Sequence, residues 1–530
     1  MLQLSEIKLP VDHPEGELRA VICKRLGLRD ADLKDLIVDQ VAIDARKKPE
    51  IYLNFTVSIK VEEETTYLSN QRLLSKYRLR NRPDRTYHFL KSPKPIPGPH
   101  RPVVIGSGPC GLFCALSLAR MGLKPIILER GKMAGPRARD VTSFWRTGQQ
   151  FNPESNVQFG EGGAGTFSDG KLYTQIKDRD NSCRKILEDL VSFGAPPSIL
   201  TNSRPHIGTD KLITVLRRIR EMLYNLGAEI RYETRVTDLK IDNGHLRGLI
   251  LADGSELETD HAVLAVGHSA RDVYEKLVER QIQVEPKAFS VGVRIEHPQE
   301  AINRAQFATT TPHRRLGSAP YKFAHQTRSG RGVYSFCMCP GGLVVGAASE
   351  EGGLVTNGMS TYARDNANAN SGFMVELKPE DFPGTDPLAG IRLQRELEAK
   401  AFKIGGSNYH APAQLLGDFL ESRASTSLGK VTPSFRPGVT LVDLRSVLPD
   451  VVIKCLRESV SRINRRLPGF NRMDAVMTAV ESRSSSPIRI TRDPKTLQSI
   501  SLEGLYPAGE GRGTPRGQRS EIQKNQCGGD

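Results

Sequence analysis

Between Ile51 and Val61 every odd position is apolar and the even positions are mostly polar, the period-two signature of a strand with one buried face. A helix from about Glu17 to Arg25 precedes it, so residues 1–96 predict a small α+β domain. Lys91 to Pro99 then carries four prolines and a glycine, which sustain neither helix nor sheet and read as a linker. After the linker the rhythm changes. Val103-Val104-Ile105 is a continuous apolar run, Leu112, Ala115, Leu116 and Ala119 recur at helical spacing as far as Gly122, and Pro125-Ile126-Ile127-Leu128 is a second apolar run. Strand, helix, strand is the βαβ order. A helix from Asp210 to Leu226, a strand at Glu229–Tyr232, paired strands across the Asn243-Gly244 and Asp253-Gly254 turns, and a strand His261–Val266 come next. From about Gln281 to Phe470, short strands such as Ser290–Ile295 and Leu343–Gly346 among frequent glycines predict a separate mixed α+β domain. The expected fold is α/β. It has a discontinuous Rossmann-like domain at 97–280 and 471–530, an inserted mixed α+β domain at 281–470, and the small leading domain.

Composition narrows the classes. The 530 residues are 38% hydrophobic and 25% charged, which is globular usage, and no run of eighteen apolar residues is present to span a bilayer. Met1 to Glu6 has neither the basic nor the apolar region of a secretory signal, so the expected compartment is cytoplasmic, without membrane partners. Eight scattered cysteines are too sparse for a disulfide-stapled fold and read as reduced thiols. The net charge of +15 raises nucleic acid as a partner, but the basic residues are dispersed rather than gathered in one tract, and the field suits a dianionic dinucleotide or an acidic substrate equally well.

Gly106-Ser107-Gly108-Pro109-Cys110-Gly111 fits G-x-G-x-x-G, yet with 48 glycines chance supplies roughly 0.4 such matches in a chain of this length. A second match, Gly160 to Gly165, follows no convincing strand and opens no helix. Context distinguishes the first. It leaves a buried strand and opens a helix, so Gly106 permits the tight turn, Gly108 lets the backbone approach a pyrophosphate, and Gly111 lets the helix lie against the strand. Glu129, with Arg130 beside it, ends the next strand eighteen residues after Gly111, placed to accept hydrogen bonds from adenosine ribose hydroxyls. NAD and FAD share this fingerprint. The residues downstream of Arg130 favour FAD: no third strand comes early, and Gly162-Gly163-Ala164-Gly165 then offers a backbone with few Cβ atoms that can pass close to a flavin and its diphosphate. Near the far end Gly504–Glu510 is a short strand running into Gly509-Glu510, whose carboxylate is placed for the ribityl chain.

Together these segments resemble the two-dinucleotide-binding-domain flavoproteins. More specifically, they resemble an uncharacterised bacterial FAD-dependent dehydrogenase family, often labelled NAD(P)/FAD-dependent oxidoreductase. The likeness covers nearly the whole chain and is carried by Ser155–Leu172, Tyr334–Gly342, Val355–Ser360 and Val480–Ile490. It implies an FAD domain assembled from discontinuous pieces, with the middle region as a substrate domain over the flavin. By the same likeness Val236 contacts adenine through its backbone, and Ala265-Val266-Gly267 passes the diphosphate. One departure stands out. Where the family continues with Ala-Gly-Tyr-Ala and a terminal helix at the flavin, Gly511 is followed here by Arg512-Gly513-Thr514-Pro515-Arg516-Gly517. That hexapeptide is what GCG GGG TAC GCC GCG GGG yields when read from its second base. A one-base frameshift is the expectation, leaving a polar, disordered tail and FAD binding that is weak or absent; a next frame lacking a family-like helix would end the idea.

No catalytic residue is assigned. Cys337-Met338-Cys339 would point both thiols one way on a regular strand, so packing is favoured over a redox or metal role, as it is for Cys110 and Cys114. His268 reads equally as a proton donor or acceptor near the cofactor and as a loop histidine satisfied by solvent. Asp169 and Lys171 flank a glycine of the flavin loop, where a cation would stabilise reduced flavin. Arg483 and Arg489 read equally as ligands of an anionic substrate and as solvated charge. No metal site is expected. The favoured function is hydride transfer between FAD and a small organic substrate, with NAD(P)H at most a transient donor. The alternatives are a flavin-dependent tRNA-modifying enzyme and a non-catalytic FAD-binding scaffold.

Overall fold

Two units, interleaved along the sequence, make up the chain in the computed structural model, which describes residues 1–88, 99–174 and 177–512. The proline linker, apart from Pro99, and the tail beyond Arg512, with the frameshift expectation attached to it, lie outside the described residues.

The first unit comprises Met1–Leu90, Lys171–Ile207 and Glu300–Ala319. Its antiparallel sheet runs in the order Leu33–Lys47, Glu50–Val61, Leu2–Pro10, Arg80–Asn81. The alternation read from sequence is realised, with Ile51, Leu53, Phe55, Val57, Ile59 and Val61 all buried, and helix Glu17–Leu26 buries Ile22, Cys23 and Leu26. Asp39 is buried as well. Its carboxylate accepts from Gln3 Nε2 at 2.7 Å and Ser58 Oγ at 2.5 Å and meets Arg82 Nη2 at 3.2 Å, so the buried charge is paired and bonded. This unit reaches beyond 1–96. Val41 exchanges backbone hydrogen bonds with Thr201 and Ser203, and Arg315 donates to the His13 carbonyl at 2.7 Å, contacts between distant stretches that no local periodicity encodes.

The second unit holds Lys91–Gly170, Gly208–Gln299 and Pro320–Asp530. It is mixed α/β with a parallel sheet: Leu505–Pro507, Ala262–Leu264, Val103–Ile105, Ile126–Leu128 and Glu229–Arg231 pair side by side in that order. The central strands are buried on both faces, which explains their unbroken apolar runs. Helix Pro109–Arg120 crosses from the first of them to the next, burying Leu112, Ala115, Leu116 and Ala119 as the stripe predicts. A three-stranded antiparallel sheet, Val236–Asp242, His245–Leu251 and Glu256–Glu258, occupies the two predicted hairpins.

A seven-stranded sheet forms the rest, in the order Ala324–Gln326, Gly332–Cys339, Asn368–Leu377, Phe289–Pro298, Val476–Glu481, Ala411–Leu415, Val439–Leu441. It draws Val476–Glu481 from beyond residue 470. Helix Asp450–Arg466 buries Val452, Ile453, Leu456, Val460 and Ile463. The Cys337-Met338-Cys339 stretch departs from the regular alternation assumed for it. Pairing shifts register between Phe336 and Cys339, and Cys337 takes a positive φ of 42°, so the two side chains do not share a strand face in the ordinary way. All seven cysteines among the described residues are free thiols.

His297, on the central strand of this sheet, is fully buried and donates from Nε2 to the Phe470 carbonyl at 2.8 Å, while Nδ1 has no partner among the described residues. Burial pushes its pKa down to about 4. The unfolded chain takes up this proton near pH 6.5 and the folded chain only near 4, so stability is complete above the first value and is lost as pH falls toward the second. The expected loss is on the order of 3 kcal/mol by pH 4. Urea unfolding at pH 7 and pH 4.5 checks this: His297→Phe should show a smaller fall than the natural chain, and equal falls would remove His297 as a cause.

Candidate cofactor site

The carboxyl ends of the parallel strands open onto a cavity of about 310 Å³. Such a crevice at the strand ends is where α/β sheets hold ligands, and the volume lies in the small-molecule range. A second cavity of about 170 Å³ shares Ile105, Arg235, Val236 and Val273 with it.

Gly106 leaves strand Val103–Ile105 with φ at +100°, and a Cβ there would sit 2.6 Å from the Ala265 carbonyl oxygen. Gly108 is the N-cap of helix Pro109–Arg120, with Pro109 at its first position, so the helix presents its unpaired amino-terminal N–H groups at the cavity wall. Gly111 stands behind that wall. Its hydrogen occupies the place where a Cβ would come within 1.9 Å of the Gly106 carbonyl oxygen.

Ser107 is also behind the wall, donating from both N and Oγ to Glu129 Oε2 at 2.9 and 2.7 Å. Glu129 Oε1 accepts from Gly131 N at 2.9 Å and Gly160 N at 3.0 Å. The carboxylate therefore lines the cavity with all four of its in-plane lone pairs already holding protein donors, binding the first glycine turn to the second. That arrangement differs from the open acceptor expected from sequence. Arg130 lines the cavity too. Its guanidinium lies 4.1 Å over the Phe159 ring and is held by Glu154 at 2.7 Å and Asp272 at 2.9 Å, which makes it a rigid plate rather than a free cation.

The second glycine string folds as a short helical turn, Gly163–Phe167, across from the first. Gly163 and Ala164 line the cavity, and a Cβ on Gly163 would come 3.1 Å from Gly108 Cα. Gly162 does not line it. It faces Leu216 and Thr166, and its N–H ties the loop to Ser107 O at 2.9 Å. The loop is shaped by a residue that no motif flagged. Arg137 is wholly buried and donates to the carbonyls of Asn156, Val157, Glu161 and Gly163 at 2.8 to 2.9 Å; burial pushes its pKa down to about 10, still charged at neutral pH.

Of the remaining predicted residues, Pro109, Cys110, Val236, Ala265, Gly267, Gly509 and Glu510 all line the cavity. Stretches up to four hundred positions apart in the chain thus form one wall. Gly165, the last of the second glycine string, lines the cavity as well, whereas sequence reasoning missed Gln158, Phe159, Gly160, Thr234, Arg235, Ser269 and Val273. Proximity to Val236 was the only signal for Thr234 and Arg235. Burial pushes the Cys114 thiol up to about 11 and raises that of Cys110, so both are protonated, as packing residues should be. Asp169 and Lys171 do not line the cavity, and Asp169 is taken up by Arg364 Nε at 2.8 Å and by Ser360. Arg483 is buried against Glu398 Oε2 at 2.7 Å and Arg489 pairs with Glu285. The solvated-charge reading of Arg483 is thereby excluded.

An adenine dinucleotide fits this donor set. The cradle combines helix N–H groups, three glycines whose Cβ atoms would meet backbone or crowd the wall, and an apolar far end at Val236 and Val273.

The family comparisons agree. Residues 288–484 match the model of the "FAD-dependent protein, C-terminal domain-like" family and residues 1–60 match a domain of unknown function, DUF8436. An "Uncharacterized protein" of Clostridium beijerinckii is 43% identical over 518 residues, covering 97% of this chain and 95% of its own. Among solved structures, L-proline dehydrogenase from P. horikoshii is 13% identical with TM-score 0.30, covering 79% of this chain and 89% of its own. CtdE in complex with FAD is 12% identical with TM-score 0.29, covering 77% of each chain. The protein is a flavoprotein whose cofactor is FAD. It belongs to the family of FAD-dependent proteins that includes the Clostridium beijerinckii relative.

Among the described residues no helix is long and apolar enough to cross a membrane, and no group of three or more His, Cys, Asp or Glu side chains is placed to hold a metal ion.

Proposed function

We propose that the protein is an FAD-dependent oxidoreductase of the dehydrogenase type, passing hydride between flavin and a small organic substrate held by the seven-stranded sheet region at 281–470. One observation carries this reading: glycine turns and strand ends at 106, 108–110, 160, 163–165, 234–236, 265–270 and 509–510 line one cavity. FAD supplies the hydride-accepting ring. The chain supplies binding and orientation: Gly106, Gly108 and the helix beginning at Pro109 for the diphosphate, Val236 for adenine, and Gly509 with Glu510 for the ribityl chain. Free thiols throughout the described residues suit a reducing, cytoplasmic setting. NAD(P)H is at most a transient donor, since one Rossmann unit is fully accounted for by FAD.

The chain with its reading frame restored after Gly511 should show a flavin absorbance spectrum, release FAD on denaturation in about equimolar amount, and photoreduce under anaerobic conditions to a form that an acceptor reoxidises, while the chain with the Arg512–Gly517 tail should hold less FAD. Frame-restored protein that stays colourless, and quenches no fluorescence when titrated with FAD, would defeat the reading.

A further inference from the structure

At the Gly509 end of the cavity a chain of hydrogen bonds fixes one proton. Gln158 Nε2 donates to the Ala347 carbonyl at 3.1 Å, which turns Gln158 Oε1 toward Ser269. Ser269 Oγ donates to that oxygen at 3.2 Å and accepts from Arg483 Nη1 at 3.1 Å. A serine hydroxyl has one hydrogen and two lone pairs, so one lone pair remains. His268 Nδ1 lies 2.9 Å from the same oxygen. With the hydroxyl hydrogen given to Gln158, whose Oε1 can only accept, and one lone pair to a guanidinium, the arrangement that satisfies all three contacts makes Nδ1 the donor. In a neutral imidazole Nε2 is then the acceptor.

We propose that His268 is the base of this cavity, acting through Nε2, with Ser269 and Gln158 as the residues that position its tautomer. The proposal rests on the oxidoreductase reading and deepens it, because it names the substrate class: an alcohol or amine, H–C–X–H with X oxygen or nitrogen. The C–H bond breaks with its electron pair passing to FAD, the oxidant. The X–H bond breaks with its proton passing to Nε2, a C=X double bond forms, and the substrate is oxidised by two electrons.

The surroundings hold the ring unprotonated at rest. Burial, with Arg483, Arg271 and Lys287 adding to it and Glu510 opposing it, pushes the His268 pKa down to about 4. The imidazole is therefore neutral across the physiological range. Arg483 and Arg271 are themselves locked by Glu398, at 2.7 Å each, so their charge cannot swing away.

The test reads the tautomer directly, without substrate. Full-length chain labelled with nitrogen-15 histidine is examined by long-range proton–nitrogen correlation, with His268→Asn to assign the signal, and FAD binding is titrated in parallel by fluorescence. The expected result is a neutral ring with Nε2 unprotonated at pH 7, still neutral at pH 5. Ser269→Ala, which removes the acceptor for Nδ1, should shift it to the commoner Nε2–H form. FAD binding of His268→Asn, which stands in the cavity wall, is titrated beside that of the natural chain so that damage to the flavin site is read separately from the tautomer. FAD binding with a ring that carries its proton on Nε2, or that titrates near 6.5, overturns the His268 assignment and leaves the flavin reading intact. A chain that takes up no FAD even with its reading frame restored after Gly511 overturns the flavin reading, and the base assignment falls with it.

Discussion

Replacing Gly111 with alanine is expected to cost the second unit several kcal/mol of stability and with it the FAD site, whereas alanine at Gly108 should leave the fold intact and weaken FAD alone. The two glycines stand three residues apart in one motif but meet different surroundings. A Cβ on Gly111 would lie 1.9 Å from the Gly106 carbonyl oxygen, 3.0 Å from its carbon and 3.4 Å from Val104 Cγ1. The first two are backbone, so helix Pro109–Arg120 must move off the strand, at about 1–3 kcal/mol for overpacking and more if the turn opens. A Cβ on Gly108 would meet only Gly163 Cα, at 4.0 Å, and its φ of −66° suits any residue. Stability should then change by less than about 0.5 kcal/mol. Yet Gly108 lines the cavity at the place proposed for the phosphates, and about 1–3 kcal/mol of crowding there is roughly a tenfold to hundredfold loss of FAD affinity. The single tryptophan, Trp145, whose indole N–H donates to the Gly346 carbonyl at 2.8 Å, reports unfolding of this unit in urea. FAD fluorescence quenching gives the affinities. A Gly111→Ala chain as stable as the natural one would show that the helix does not pack on the strand as described.

This contrast also explains why the dinucleotide cradle was legible in the sequence and much of its support was not. The roles of Gly106, Gly108 and Gly111 follow from backbone geometry, which a short string encodes, and the apolar runs around them follow from burial on both faces of a parallel strand. Gly509 and Glu510 were reachable because a short strand leads into them. Arg137 was not, since it acts on four carbonyls of a loop some twenty residues away and nothing local marks an arginine that will be buried. Gln158 and Ser269 escaped for the same reason: each matters through its neighbour, and their meeting depends on segments 111 positions apart. Glu129 was found by position, but its lone pairs were assigned to a ribose, because backbone donors from Gly131 and Gly160 become visible only when the loop returns. The two later segments of the first unit belong to the same class of long-range docking.

Three strings that stood out in the sequence without a role, Tyr334–Gly342, Val355–Ser360 and Val480–Ile490, converge on Arg294, and its removal is the second large effect expected. Arg294 is fully buried on the central strand Phe289–Pro298. Its Nη1 donates to the Cys337 carbonyl at 2.9 Å and to Asn370 Oδ1 at 3.2 Å, its Nη2 to Asn357 Oδ1 at 2.8 Å and Glu481 Oε1 at 2.7 Å, and its Nε lies 2.5 Å from Glu481 Oε2. Gly358 makes room for it, since a Cβ there would come within 2.5 Å of Nη1. Arg294→Ala would leave a carboxylate buried without its counter-charge and take one donor from each of three oxygens, of which Asn357 Oδ1 keeps Gly358 N and the Cys337 carbonyl keeps Cys339 Sγ. Breaking such a pair from one side costs about 3–5 kcal/mol, whereas removing both charges together removes the desolvation penalty they share. The double variant Arg294→Met with Glu481→Leu should therefore be markedly more stable than Arg294→Ala, with a coupling on the order of 2 kcal/mol or more in a double-mutant cycle followed by Trp145 fluorescence. If the double variant is as unstable as the single one, the site is held by the shape of the guanidinium against Gly358 and its three oxygen acceptors, and the charge pairing contributes nothing of its own.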